Sequence, residues 1–236
     1  MSPLRTGASL EESVSAFKGA ESVFAAKQET DFSRLRGLRG NAWTEEQAMK
    51  RIVFGISGAS GMPLAKAVLQ AFCTLPDLEI HGIVSEHAEA VLLAECGETA
   101  AFFSDVLHTL YNPADMTAGP ASGSWLHDGM IVCPCSMSTL GTIVSGGGQS
   151  LLHRAADVTL KEKRPLLLVV RETPLSRIHL RNMLLAEECG ATIMPFMPAF
   201  YAGENSLEAM MRQFAGRLLD QLKLSHTFAS RWKENL

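Results

Sequence analysis

The sequence predicts a three-layer α/β protein built on a doubly wound parallel sheet, a single domain preceded by an N-terminal extension. Three observations predict it. Short, continuously apolar runs such as Arg51–Ser57, Gly129–Cys135 and Leu166–Arg171 alternate with stretches of helical periodicity from residue 51 onward. Strands with no polar alternation are buried on both faces, as in a parallel sheet covered by helices. The chain, at 236 residues, is long enough to close one core of this kind.

Taken in order, Arg51–Ser57 is the first strand, followed by a Gly-rich turn and a helix over about Pro63–Phe72. Leu78–Ser85 is a second strand and Glu86–Cys96 a second helix. Residues 97–128 have turn chemistry at Asn112-Pro113 and Gly119-Pro120 but no clear period. Gly129–Cys135 is a buried strand, with helical stretches after it to about Lys163. Leu166–Arg171 is a strand, Ser176–Cys189 a helix, Thr192–Pro195 a short strand and Ser206–Leu222 the closing helix. The domain is thus expected over 50–224, with an extension at 1–49 and a tail at 225–236. In the extension, Ser9-Leu10-Glu11-Glu12 is a capping-box pattern, and Leu10, Val14, Phe17 and Phe24 continue it as a short amphipathic helix.

Composition excludes several classes. A net charge of -4 gives no reason to expect nucleic acid or an acidic membrane as partner. No window reaches the roughly 18 apolar residues of a membrane span. Five scattered cysteines argue for reduced thiols and a cytoplasmic protein. Cys133-Pro134-Cys135 has the wrong spacing for a zinc knuckle and is expected to be a buried strand end. His81 and His108 have no spacing that suggests a metal, and none is expected. The extension carries seven basic and seven acidic residues in its first 50, unlike an organelle transit peptide.

In a doubly wound sheet, ligands sit at the carboxyl ends of the strands, where the strand order reverses. The groups there are the ones to examine. The first turn, Gly55-Ile56-Ser57-Gly58-Ala59-Ser60-Gly61, lets backbone approach an anion at a helix start, and Ser57 and Ser60 offer hydroxyls. Its spacing is not that of dinucleotide sites, and the second strand ends Val84-Ser85-Glu86 with no acid placed for a ribose diol, which favours a mononucleotide. The third strand runs into Ser136-Met137-Ser138-Thr139, either a helix cap or a phosphate cradle. Arg154, Asp157 and Lys161 share one helix face, with Arg154 and Lys161 about 10.5 Å apart along the axis; alone, they read as a solvated charge ladder. The fourth strand delivers Arg171-Glu172, an ion pair or else an anion-binding guanidinium beside a proton-carrying carboxylate.

In sequence order these segments resemble the UbiX family of flavin prenyltransferases. The matching blocks are Gly58-Ala59-Ser60-Gly61, Pro120-Ala121-Ser122-Gly123-Ser124, Cys133-Pro134-Cys135-Ser136-Met137, Arg154–Glu162, Arg171-Glu172-Thr173-Pro174-Leu175-Ser176, Ile178-His179-Leu180 with Asn182-Met183-Leu184, and Pro198-Ala199-Phe200-Tyr201. The resemblance implies a flavodoxin-like or Rossmann-like fold and a homo-oligomer, usually a dodecamer of trimers, with FMN near subunit contacts. It implies transfer of a dimethylallyl group from dimethylallyl phosphate to N5 and C6 of reduced FMN, without a metal. The prenylated FMN then serves a UbiD-type decarboxylase. By position, Gly58, Ala59, Ser60, Gly61, Ser85, Ser136, Thr139 and Arg154 would hold FMN. Lys161, Arg171, Tyr201 and Arg217 would hold the prenyl phosphate, with Ser60 close to it. Glu172 would move protons, and Glu95 and Trp232 fall beside the site. The sequence departs from the family at Leu64, where many members have Tyr, at Met116, where some have Trp, and at Gln149-Ser150.

Two other readings compete. A flavoprotein cysteine decarboxylase would want a catalytic His near the second helix, where His87 stands, and an Asn in the third strand-end segment, which this chain lacks. A non-catalytic FMN carrier or accessory subunit would have no use for the second set of cations.

Overall fold

The computed structural model describes residues 49–204 and 206–233; the helix expected in the extension lies outside the described residues. Six strands form one parallel sheet: β1 (Lys50–Ile56), β2 (Leu78–Val84), β3 (Thr109–Tyr111), β4 (Gly129–Cys135), β5 (Leu166–Val170) and β6 (Ala191–Ile193). Their order is β3-β2-β1-β4-β5-β6, so the switch point lies between β1 and β4. Without β3 this is the flavodoxin order; the added edge strand makes it the Rossmann order. The described helices are α1 (Met62–Phe72), α2 (Glu86–Cys96), α3 (Ala101–Val106), α4 (Met137–Ser145), α5 (Leu151–Lys161), α6 (Arg177–Glu188) and α7 (Leu207–Gln221).

Side chains of β1 alternate between two cores. Ile52, Phe54 and Ile56 face a cluster with α1 and α7, including Val68, Phe72, Phe214 and Leu218. Val53 faces the other layer, with Met130, Val132, Leu140, Leu152 and Ala155. Phe54 meets Phe72 edge-on at 6.5 Å, a favoured aromatic geometry. The helical stretch expected through residue 163 is two helices, because α4 stops at Gly146, whose φ of 67° is left-handed. The unread span 97–128 supplies α3 and β3, of six and three residues, too short to show a period.

Pro134 lies in a central strand, where a missing N–H would normally break the ladder. Here the β4–β5 register shifts between Val132 and Cys135. The Pro134 carbonyl turns to β1 instead, accepting from the Ser57 N–H at 3.2 Å and the Ser57 hydroxyl at 2.8 Å. Both thiols of the Cys-Pro-Cys segment are buried, and burial pushes Cys133 up and Cys135 up to about 12, so neither is a reactive thiolate. The buried strand end expected there is what the fold contains.

Candidate active site at the carboxyl edge

Ser57 is the pivot of the switch point. Besides donating to Pro134, its hydroxyl oxygen accepts from the Ser136 N–H at 2.8 Å. The hydroxyl expected to be offered to a ligand is therefore spent joining the tails of β1 and β4. Fixing these two tails sets the spacing between the glycine turn and the start of α4.

The turn itself is shaped by close approach. A Cβ on Gly58 would fall 2.5 Å from His87 Cβ, so only glycine lets the turn lie against the first turn of α2. His87 is exposed on the surface. Gly61, at φ +123°, precedes α1, and its N–H and that of Met62 donate to Glu95 Oε2 at 2.9 and 2.8 Å. Burial alone would raise the Glu95 carboxyl. Hydrogen bonds from Ser60, Gly61 and Met62, with Arg171 nearby, outweigh it and hold the group below the usual range. Glu95 thus satisfies the start of α1 with a carboxylate, and its position ties the glycine turn electrostatically to Arg171.

At the next strand end, Ser85 precedes α2 without capping it, and its Oγ is shielded from solvent with no hydrogen-bond partner among the described residues. Such an orphan calls for a ligand or water. It borders a cleft of about 370 Å³ lined also by Glu89, Leu110, Tyr111, Asn112 and Pro113. Ser136 resolves toward the capping role: its oxygen accepts from the Thr139 N–H at 3.1 Å and its hydroxyl donates to Thr139 Oγ1 at 3.0 Å. Tyr111 and Asn112, which sequence reasoning missed, come from the span that showed no period.

The cations fall into separate groups within one chain. Arg154 Nε donates to the Ala121 carbonyl at 3.1 Å and Nη1 pairs with Asp157 at 2.6 Å. Lys161 pairs with neighbouring Glu162, not with Asp157, and lies against Gly123, where a Cβ would be 2.6 Å from Nζ. The ladder expected on α5 is thus half realised. Lys161 closes α5 beside the loop that leads into β4, the edge where the strands begin. Arg171 leaves β5 at the other edge, its N–H donating to the Cys135 carbonyl at 3.1 Å. β5 alone spans roughly 16 Å at 3.3 Å per residue, so a single chain keeps Lys161 and Arg171 apart.

Arg171 and Glu172 are exposed, and Glu172 accepts only from the Thr173 N–H at 3.1 Å among the described hydrogen bonds. Tyr201 and Trp232 meet edge-on at 5.4 Å, both exposed. Arg217 pairs with Asp220 at 2.6 Å. Asp220 also takes two bonds from Arg231, at 2.5 and 2.6 Å, and one from His226 at 2.9 Å. Burial would raise Asp220, but the Arg231 and His226 bonds overcome it and bring it down to about 2. Gln213, buried on α7, clamps Ser230 through both its amide atoms, at 3.1 and 2.7 Å. These ties lay the segment bearing Trp232 along α7. Of the departures from the family pattern, Leu64 is buried in the core rather than facing a ligand, and Met116 is exposed.

A glycine turn at the switch point of a doubly wound sheet, with an orphan hydroxyl and a cleft at the neighbouring ends of β2 and β3, has the features of a mononucleotide-binding protein. The Flavoprotein family model matches residues 41–216. A probable UbiX-like flavin prenyltransferase of Escherichia coli O157:H7 is 43% identical over 183 residues, 78% of this chain and 93% of that protein. The crystal structure of AnUbiX (PadA1) with FMN and dimethylallyl pyrophosphate is similar at 44% identity and TM-score 0.75, covering 78% of this chain and 97% of that one. A dodecameric FMN-dependent UbiX-like decarboxylase from Escherichia coli O157:H7 is similar at 43% identity and TM-score 0.75, covering 78% and 99%. The chain belongs to the UbiX-like flavin prenyltransferases of the flavoprotein family.

Proposed function

We propose that this chain is a flavin prenyltransferase that moves a dimethylallyl group from its phosphate ester to reduced FMN. The observation that carries the reading is the likeness to AnUbiX, which holds both FMN and dimethylallyl pyrophosphate, at 44% identity across nearly all of that protein. The Gly58–Gly61 turn and the Ser85 hydroxyl, without a partner among the described residues, fit FMN; Ser136, Thr139 and Arg154 are assigned to it by family position, Ser136 while also capping α4. FMN supplies the nucleophilic ring that accepts the prenyl carbons.

The remaining groups serve the leaving phosphate. Breaking an allylic C–O bond builds negative charge on phosphate, which fixed cations stabilise without a metal. Lys161, Arg171, Arg217 and the Tyr201 hydroxyl take that role, and Glu172 would take the proton that leaves the flavin ring as the second carbon–flavin bond forms, balanced by the proton that the prenyl double bond takes up in the same ring closure. Because Lys161 and Arg171 sit at opposite edges of one sheet, the phosphate site takes its Lys from a neighbouring copy. Exposed Leu175, Ile178, Leu180, Leu184 and Leu185 flank Arg171 and Glu172, an apolar surface suited to that neighbour. The assembly is a homo-oligomer, as in the dodecameric Escherichia coli relative. The product passes to a UbiD-type decarboxylase. No described helix is long and apolar enough to cross a membrane, in keeping with a cytoplasmic enzyme.

The test is mass spectrometry of the flavin after anaerobic incubation with reduced FMN and either dimethylallyl phosphate or the pyrophosphate. A gain of one prenyl group, with release of phosphate or pyrophosphate, identifies the reaction and its donor. FMN binding with neither donor consumed would reduce the protein to a carrier. Carbon dioxide release from an aromatic acid by the FMN-loaded chain alone would favour the decarboxylase reading carried by one relative's name.

A further inference from the structure

The fold corrects one reading of the sequence: His81 and His108, 27 positions apart, are neighbours. Glu79 and His81 lie two apart on β2 and so share a face of the sheet. The β2–β3 ladder aligns His81 with Thr109, and the His108 N–H donates to the Ile80 carbonyl at 2.9 Å. The ligand-capable atoms of Glu79, His81 and His108 all lie within 4.8 Å of one another. His81 Nε2 is 3.4 Å from Glu79 Oε2, and His108 Nε2 is 3.8 Å from Glu79 Oε1. In a tetrahedral zinc site with bonds near 2.0–2.1 Å, ligand atoms stand about 3.3 Å apart, so only a small closure separates this arrangement from a bound state. His108, with 55% of its side chain exposed, is free to make it.

The surroundings orient these groups as ligands. The Tyr111 hydroxyl lies 3.0 Å from His81 Nδ1, which leaves Nε2 facing the cluster. Arg51 Nε donates to Glu79 Oε2 at 3.0 Å and holds the carboxylate in place. Oε1 accepts no hydrogen bond among the described residues. Such outer partners fix the tautomer and rotamer of metal ligands. We propose that Glu79, His81 and His108 form a binding site for a divalent transition cation of the zinc type, which imidazole and carboxylate donors suit. It stands near the amino ends of β2 and β3, away from the glycine turn and joined to the Ser85 cleft through Tyr111, and takes no part in prenyl transfer. Its effect is to cross-link the short edge strand β3 to β2.

The test is titration of metal-free, full-length protein with Co2+, then Zn2+. One Co2+ per chain is expected, with visible absorption bands that Zn2+ abolishes. Trp125, whose ring is 5.0 Å from His81, gives a second signal by quenching with Co2+. His108→Ala, at an exposed position, removes the bands. Tyr111→Phe keeps all three ligands and weakens binding by about tenfold or more. Excess Zn2+ raises the Tm of the parent and leaves that of His108→Ala unmoved. Absence of stoichiometric Co2+ binding, or equal binding by His108→Ala, would overturn the site.

Discussion

Helices α1 and α6 are of similar length, and each follows a strand-end turn that carries candidate site residues, yet they are finished differently. On α1, seven residues from Met62 to Phe72 are buried. On α6 only Ala186 is, while Ile178 and Leu184 remain 68% and 57% exposed. The turn before α1 is satisfied inside the chain, by Glu95 on its N–H groups and Ser57 on its strand. The turn before α6 leaves Arg171 and Glu172 in solvent. Under the proposed function, the turn assigned to flavin is held by its own chain, while the groups assigned to the prenyl phosphate stay open to a neighbour.

The comparison can be broken first at Glu172. Glu172→Gln should lower turnover roughly 10²–10⁴-fold, the range for a lost general acid–base group, while retained FMN is unchanged. Measured by flavin mass, unaltered turnover would remove Glu172 from the reaction. The two helices should then part in stability. Phe72→Ala on α1 should cost about 3–5 kcal/mol in denaturant unfolding. Leu184→Glu on α6 should change the isolated chain by no more than about 0.5 kcal/mol yet shift sedimentation to smaller species. Equal losses at both positions would mean that α6 is packed within its own chain after all.

A sharper test mixes two chains. Lys161→Ala and Arg171→Ala should each cost about 10²–10³-fold in turnover, and co-assembling the two should restore part of it, because some sites then receive both cations. No recovery would return both residues to one chain's site.

The smallest effect is in pH. Burial, with Arg164 beside it, lowers His127 from 6.5 to about 4. Between those values the unfolded chain takes up a proton that the folded chain refuses, so stability should fall as pH drops from 6.5 to 4. Asp220 acts lower: its folded value of about 2 against 3.8 adds stability above pH 3.8 that disappears as pH falls toward 2. Melting curves of His127→Phe and Asp220→Asn should each lose one of these two slopes, whatever the absolute Tm.

Much of the fold was legible because buried parallel strands leave unbroken apolar runs: β1, β2, β4 and β5 fall within a residue of expectation. β3 was invisible because three half-buried residues carry no pattern, and with it went Tyr111, Asn112 and the neighbours of His81. The site was legible as chemistry but not as geometry. Ser57 and Ser136 looked available, and the fold spends them on the β1–β4 bridge and a helix cap. Asp220 showed only its i,i+3 spacing to Arg217, since its other partners Arg231 and His226 approach from a segment that folds back on α7.

The placement of Lys161 at the far edge of its own sheet has a genetic consequence. If each pocket borrows its ammonium from next door, a subunit lacking that lysine that still folds and assembles disables the pocket beside it rather than its own. In a mixed assembly each altered subunit still silences one pocket, as many as if the lysine served its own site, but the silenced pocket belongs to its neighbour, so the defect and the defective site fall on different chains.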